Sequence, residues 1–436
     1  MMGLSPKPRS RTYASPAIYC RVALEALLSR TYRGSEHLGH LEARFAARHG
    51  TAHALCLAQG RLGIFLALTQ LIRPGQEVIL SPYTIYDVVN MVLAAAGVPV
   101  FADVDPATGN LSPRAVRESL TARTGAVLAT HIHGLSCEIE AIQTICRAAG
   151  VPLVEDCAQC LGGVVGGRPV GSFGDVGVFS FSRAKNINTI YGGMAVTSNA
   201  DLHRRMQQHV EGYAFERRSR LWRRAASTAL LDALTAPLVF QGLVFPLVRF
   251  DARRGSGLVD RVTGAESGIQ KRTSLPDNYA RRMTPMQARL ALWQLKELDA
   301  QTKRRIAHAR LYHDGLADLA WLQLPPFSDD GRHTYLSFPV QSEQRDDLFV
   351  FLLERGRDVR RQYYHNLADT CAFDEFRRPC PDASSVAART LLLPIYPDYP
   401  VLEIGRTIDA IRAFGSRRGT PAAARHPAGA ASANPA

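Results

Sequence analysis

Lysine is the scarce residue of this chain. Only five of its 52 basic residues are lysines, and Lys185 is the sole one between Lys7 and Lys271. Arginine stays protonated at any working pH, so a position that needs a neutral amine cannot use the cation this chain otherwise prefers. A long unbroken apolar run is missing as well. Residues 225–248 carry Asp232 as their single charge, but Pro237, Gly242 and Pro246 interrupt them, which argues against a regular membrane-spanning helix. The eight cysteines stand at irregular spacing. Cys157-Ala-Gln-Cys160 has C-x-x-C spacing, yet no second pair or histidine cluster completes a metal site, and small buried side chains explain it better than zinc or redox chemistry. No signal-peptide pattern opens the chain, so a reducing cytoplasm is the expected compartment. The net charge of +13 comes without a zinc-finger, RNP or basic-zipper pattern, and nucleic acid is not expected as a partner.

What is present fits a globular enzyme. With 436 residues, 46% of them hydrophobic, and 34 glycines, the chain can bury a large core divided into one large and one small domain. Residues 1–15 are polar and proline-containing and read as a flexible arm. Helical periodicity covers 18–28 and 37–49. From Ala52 to Thr197 short apolar runs alternate with helical patterns, the signature of βαβ units and a mainly parallel sheet. The large domain is expected over 16–274. A small α+β domain follows over 275–415, entered through helices in 283–319. Met286, Leu290, Leu292, Leu295 and Leu298 recur there near helical spacing, as core and not as ligands. Beyond Ser416 the chain lacks hydrophobic anchors, and 416–436 read as a disordered tail.

Lys185 lies in Gly171-Ser-Phe-Gly-Asp-Val-Gly-Val-Phe-Ser-Phe-Ser-Arg-Ala-Lys185-Asn186, followed by Tyr191-Gly192-Gly193. A lysine amine, unlike a guanidine, can lose its proton and attack a carbonyl carbon to form a Schiff base. Upstream, Val151-Pro-Leu-Val-Glu-Asp156-Cys-Ala-Gln159 reads as a short buried strand, and open α/β sheets place their ligands at such carboxyl ends. An aspartate there can keep a pyridine nitrogen protonated, which a pyridoxal ring needs to act as an electron sink. Taken singly, Asp156 reads as a helix cap and Lys185 as a solvated loop residue; in this glycine-rich setting they read as a pair.

The stretch 154–198 resembles the core motif of the DegT/DnrJ/EryC1/StrS family, sugar aminotransferases that use pyridoxal phosphate on a fold-type I scaffold. Further segments agree in order: Arg73-Pro-Gly-Gln-Glu-Val-Ile-Leu, Gly97-Val-Pro-Val-Phe-Ala-Asp-Val-Asp105, Asn110-Leu-Ser-Pro, Ala129-Thr-His131-Ile-His-Gly134 and Leu393-Pro-Ile-Tyr-Pro. The resemblance covers roughly 35–200 and 275–415. It implies that Lys185 forms the Schiff base, Asp156 pairs with the pyridinium, Gln159 contacts the phenolic oxygen, and Ser180 and the turn at Gly60 hold the phosphate. It also implies a homodimer and an amino-acid donor, glutamate. Related sugar dehydratases carry histidine where Lys185 stands, which favours transamination over elimination of a C–O bond.

Several positions depart from the family pattern. The usual Ser-Gly-Thr of the phosphate turn is Gln59-Gly60-Arg61, so a threonine hydroxyl is lost, and Arg61 either adds charge to the phosphate or points to solvent. The stacking aromatic aligns with Ile85; either Tyr86 shifts in or an aliphatic contact replaces it. In Asn278-Tyr-Ala280-Arg-Arg282-Met283, Ala280 occupies the place of the asparagine that reaches the partner's cofactor. Tyr363 resembles the tyrosine of a substrate-proximal His-Tyr-Pro stretch, with Gln362 and Tyr364 replacing its neighbours, and His333-Thr-Tyr335 resembles the strand that supports it. His131 or His133 is a candidate pocket residue, or a packing residue.

The resemblance offers no counterpart for residues 211–273, approximately. They open with Arg217-Arg-Ser-Arg220-Leu-Trp-Arg223-Arg224 and close with Arg249, Arg253 and Arg254 around the apolar 225–248. One reading is a helical hairpin buried against the dimer or the large domain. The other is a peripheral membrane contact through 217–254, with Trp222, Phe240, Phe245 and Phe250 at headgroup depth and arginines on anionic phosphates. The function that the resemblance implies is a pyridoxal-phosphate aminotransferase acting on a keto-sugar, nucleotide-linked in the way the family's substrates are. Two alternatives stand beside it: a membrane-associated enzyme acting on a lipid-linked or cyclitol ketone, and an inactive regulatory or scaffold member of the fold.

Overall fold

The computed structural model describes residues 6–11, 36–254 and 268–417. The helix expected over 18–28 and the tail beyond 417 lie outside them. A seven-stranded sheet organises the large domain. Its strands are β1 (His53–Leu57), β2 (Glu77–Leu80), β3 (Val98–Phe101), β4 (Thr124–Thr130), β5 (Leu153–Asp156), β8 (Val176–Ser180) and β9 (Gly193–Thr197). A small hairpin of β6 (Val164–Val165) and β7 (Arg168–Pro169) stands apart. The spatial order is β1-β9-β8-β5-β4-β2-β3, with β9 antiparallel to both neighbours and the other pairings parallel.

Both faces of this sheet are covered, which is why its strands read as apolar runs. Alternate residues of β2 and β4 go to opposite sides: Val78, Leu80, Ala126 and Leu128 join one core, and Ile79, Val127 and Ala129 the other. The Gly60–Leu71 and Tyr86–Ala94 helices cover the first face with Leu62, Leu66, Val88 and Val92. The Glu36–His49 and Ile139–Ala149 helices cover the second with Leu41, Phe45 and Ile142.

The small domain is a three-stranded antiparallel sheet, β10 (Phe338–Gln341), β12 (Thr390–Leu393) and β11 (Arg360–Arg361) in spatial order, packed against the Leu298–Leu316, Arg345–Glu354 and Val401–Arg417 helices. Its border differs from the expected one. The Pro285–Leu295 helix has the anticipated periodicity, but Met283, Ala288 and Ala291 pack into the large-domain core beside the Glu36–His49 helix. Residues Leu367, Phe373, Ala383 and Val386 likewise return to the large-domain core.

The segment after Glu211 packs partly inward: its first helix lies on the large domain, and two of the aromatic residues expected at headgroup depth are buried. The Arg218–Leu234 helix lays Leu221 and Ala225 against Ile190, Met286 and Leu290. The chain then bends by 66° and continues helically from Pro237 to Arg254 through a π-type stretch, Phe240–Val244. Phe240, Phe245 and Val248 are buried in the small-domain core. Burial of a phenylalanine is worth about 2–3 kcal/mol, so neither Phe240 nor Phe245 is available at headgroup depth. Phe250 stays exposed and Trp222 is half-buried.

Residues 6–11 also depart from the flexible arm expected over 1–15. Pro6 and Pro8 are buried, and the Arg9 backbone N–H donates to Asp358 Oδ2 at 2.8 Å while its Nε lies 2.9 Å from Oδ1. A buried carboxylate draws in a cation from 349 residues away because an unpaired charge there would be costly.

Candidate active site

The carboxyl ends of β4, β5 and β8 lie side by side, and each leads straight into a residue singled out from sequence. Asp156 ends β5, is buried, and accepts the Ala158 backbone N–H at 3.1 Å. Burial pushes its carboxyl pKa up, against the opposing pull of the Ala158 N–H and the Lys185 charge. Lys185 follows β8 and is half-buried, its backbone N–H donating to Ser182 O at 3.1 Å. Burial lowers its amine pKa to about 8, with Arg61 adding to the fall and Asp156 opposing it.

The turn after β1 is built by backbone contact. A Cβ on Gly193 would lie 2.6 Å from Gly60 N and 2.8 Å from Phe179 O, and one on Gly60 would lie 3.1 Å from Phe179 O and 3.2 Å from Ser180 Cβ. Both positions therefore need glycine to bring β1, β8 and β9 together. No side chain caps the Gly60–Leu71 helix, so its first N–H groups are left for an anion. Ser180, at the end of β8 opposite Gly193, lies with its Oγ 3.4 Å from Ser182 Oγ.

Gln159 is locked from both sides: its Oε1 accepts the His133 backbone N–H at 3.1 Å and its Nε2 donates to the Tyr364 hydroxyl at 2.9 Å. His133 adopts a left-handed backbone with φ 59°, which turns its ring toward the site. The ring stacks on Tyr364 at 6.2 Å with Nδ1 3.1 Å from Ser337 Oγ, and burial, with repulsion from Lys185 and Arg360, holds its pKa down at about 3. Gln159, His133, Lys185, Arg360, Tyr363 and Arg9 all line one cavity of about 150 Å³. The Arg360 guanidinium sits 4.1 Å from the centroid of the Tyr363 ring.

Other candidate residues fall elsewhere. His131 is fully buried; its Nδ1 accepts the Cys137 N–H at 3.0 Å, leaving the proton on Nε2, 3.4 Å from Glu155. Glu155 in turn accepts from Gly171 N at 2.9 Å and Gly174 N at 2.7 Å. His131, Glu155 and Cys157 thus have ligand-type atoms within 4.8 Å of one another, but these bonds already give the histidine and the carboxylate structural work. His333 accepts the Ser136 N–H at 3.1 Å, and burial holds its pKa at about 4. Neither histidine lines the cavity.

Arg61 does not point to solvent. It pairs with Asp87, which also takes the Tyr279 hydroxyl at 2.7 Å and Arg272 at 3.3 Å. Tyr86 borders a second cavity, of about 520 Å³, with Arg61, Arg272, Asn278 and Tyr279, and is not among the residues around Lys185. Two further arginines had no signal in the sequence. Arg224 lies 2.9 Å from the Tyr191 ring centroid, and burial together with Arg183 and Arg61 lowers its pKa to about 10. Arg183 Nη1 reaches Ser227 Oγ at 3.3 Å.

These residues fit pyridoxal phosphate. A buried carboxylate, a lysine of depressed pKa, an uncapped helix start in a cradle that a methyl would fill, and mutually repelling arginines supply what its pyridine, aldehyde and phosphate require. Fold and site together define a pyridoxal-phosphate-dependent enzyme of fold type I. The chain belongs to the DegT/DnrJ/EryC1/StrS aminotransferase family, whose model matches residues 20–243 and 261–412. The family match thus runs well into the segment that showed no counterpart in sequence, leaving only 244–260 unmatched. The spore coat polysaccharide biosynthesis protein SpsC of Bacillus subtilis is 30% identical over 85% of this chain and 87% of its own length. A UDP-N-acetyl-3-dehydro-alpha-D-glucosamine 3-aminotransferase of Acidithiobacillus ferrooxidans is 28% identical over the same shares. The solved structure of DesV from S. venezuelae, in complex with a ketimine intermediate, superposes with TM-score 0.71 at 28% identity, covering 92% of this chain and 94% of that one.

Proposed function

We propose that this chain transfers an amino group, from glutamate, to the ketone carbon of a nucleotide-linked sugar. The observation that carries the reading is Lys185: the one lysine in a long arginine-only stretch stands at the carboxyl edge of the sheet with a pKa near 8, beside a buried Asp156. The relatives support the acceptor class, since one is named for a UDP-linked keto-sugar and another for polysaccharide synthesis.

Pyridoxal phosphate, when bound, supplies the electron sink that makes the carbon next to nitrogen acidic. The chain's own residues do the rest. Lys185 would anchor the cofactor through its Nζ, and the same amine, once displaced by the donor and able to exist in both protonation states near neutrality, would carry the proton between the substrate carbon and the cofactor carbon. Asp156 holds the pyridine nitrogen protonated. Gln159, fixed by His133 and Tyr364, presents its amide to the phenolic oxygen. Ser180 and the N–H groups after Gly60 take the phosphate, with Arg61, Arg183 and Arg224 supplying the charge that the lost threonine hydroxyl and Ala280 do not. Tyr363, Arg360 and Arg9 face the substrate side of the cavity. Cytoplasmic placement and a homodimer complete the reading.

The test is the visible spectrum of the purified chain before and after glutamate, followed by a UDP-linked 3-keto-sugar. A coloured protein that bleaches with glutamate, recovers with the keto-sugar, and loses both responses in Lys185→Ala is expected. A chain that takes up no pyridoxal phosphate sinks the enzyme reading; one that responds to glutamate but recovers only with a cyclitol or lipid-linked ketone moves the acceptor.

A further inference from the structure

Of eleven exposed large hydrophobic residues among the described ones, seven lie within 21 residues of each other: Leu230, Leu231, Leu238, Val239, Leu243, Leu247 and Phe250. Leu238 is 85% exposed. Along the second helix Val239, Leu243, Leu247 and Phe250 follow one another at spacings of four, four and three, which places them on a single stripe. Phe240, Phe245 and Val248 occupy the other side and are buried in the small domain. The helix is therefore apolar on two faces, and among the described residues only one of them has a partner. Isolated exposed leucines need no explanation, but a contiguous apolar stripe on a soluble surface does.

The charge around the stripe indicates what meets it. Residues 217–254 hold eight arginines against two aspartates. Arg217, Arg218 and Arg223 are exposed at the start of the pair, and Arg253 and Arg254 at its end. The apolar middle has no exposed charge among residues 233–248. Among the described residues no single helix is long and apolar enough to cross a membrane, and these two helices meet at 66°, so the arrangement suits lying along an interface and not spanning it. A protein partner would have to match apolar residues in the centre and many cations at both ends; an anionic bilayer offers acyl chains beneath a layer of phosphates in that order.

We propose that the outward face of residues 230–254 docks this protein on the surface of an anionic membrane, with Leu238, Leu243, Leu247 and Phe250 entering the acyl boundary and the terminal arginines meeting lipid phosphates. The docking does not depend on which ketone the active site takes.

The experiment is co-sedimentation of the full chain with sucrose-loaded vesicles of phosphatidylcholine, alone or with one part in three phosphatidylserine. Binding to the mixed vesicles at least about tenfold tighter than to the neutral ones is expected. The Leu243→Gln/Leu247→Gln/Phe250→Gln variant should lose at least about tenfold of it, with far-ultraviolet dichroism unchanged. Arg223→Gln/Arg254→Gln, which leaves the apolar stripe intact, should weaken binding about fivefold per arginine, as should added salt. Wild-type chain that stays in the supernatant with mixed vesicles overturns the proposal, and so does triple-variant binding equal to wild type. If light scattering shows that the triple variant splits a wild-type dimer, the face is a subunit interface and the proposal is likewise overturned.

Discussion

A methyl group added to Gly193 would lie 2.6 Å from a backbone nitrogen, whereas one added to Gly242 would meet nothing within 4 Å. The two glycines mark two ways of using backbone. At the carboxyl edge of the sheet, three strands press together around a turn, and a buried carboxylate and a lysine stand at the neighbouring strand ends. In the outlying helix pair, one face is docked and the other is left open. The proposed chemistry lies where the chain has no slack, and the proposed membrane contact where it has room. The active site should therefore fail through small steric and charge changes that the outer helix tolerates.

The largest effect is expected at Lys185. Lys185→Ala should reduce transamination by more than about 10³-fold, because it removes both anchor and proton carrier, and stopped-flow single turnover would detect any remainder. Asp156→Asn keeps an acceptor for the Ala158 N–H but no longer favours a protonated pyridine; turnover is expected to fall about 10²-fold with cofactor still bound, and loss of the cofactor instead would mean that Asp156 serves mainly as a structural cap. Gly193→Ala forces backbone against backbone and should cost about 2–3 kcal/mol in thermal or denaturant unfolding.

A pH series sharpens the same contrast. Only the neutral amine of Lys185 attacks an aldehyde, and its folded pKa is lowered, so capture of pyridoxal phosphate by the apoprotein should rise with pH and level off above about 8. A rise that continues past pH 10 would show an amine as solvated as a free one. The smallest effect belongs to the outer helix: Gly242→Ala, with open space around it, should stabilise by about 0.5 kcal/mol or leave stability unchanged.

The places of Asp156, Gln159, Ser180 and Lys185 in the fold were legible because each sits within a few residues of a strand end, and a strand end in a parallel sheet is a fixed location. Gly60 was legible for the same reason. Residues whose role depends on which way a side chain turns were not. His131 and His133 are two apart, and only the left-handed backbone at His133 sends one ring into the cavity and the other into the core. Tyr86 opens a helix whose orientation places it beside Arg272 and Asn278. Whether Phe240 and Phe245 are buried or exposed anchors was left open because helical periodicity marks a face without saying what covers it. Arg9 and Asp358, and Arg224 above Tyr191, are distant pairings for which a single sequence carries no local signal.

The antiparallel strand β9 has a consequence in time. β1 lies at the edge of the sheet and hydrogen-bonds to β9 alone, about 140 residues further along the chain. On a ribosome adding about 5–20 residues per second, β1 waits on the order of ten seconds for its partner, while β2 to β5 can already pair. The turn carrying Gly60 cannot close on Gly193 before then. The nascent chain thus closes the Gly60–Gly193 contact only after β2 to β5 have emerged, and a chain in which that contact has formed has already completed its central sheet.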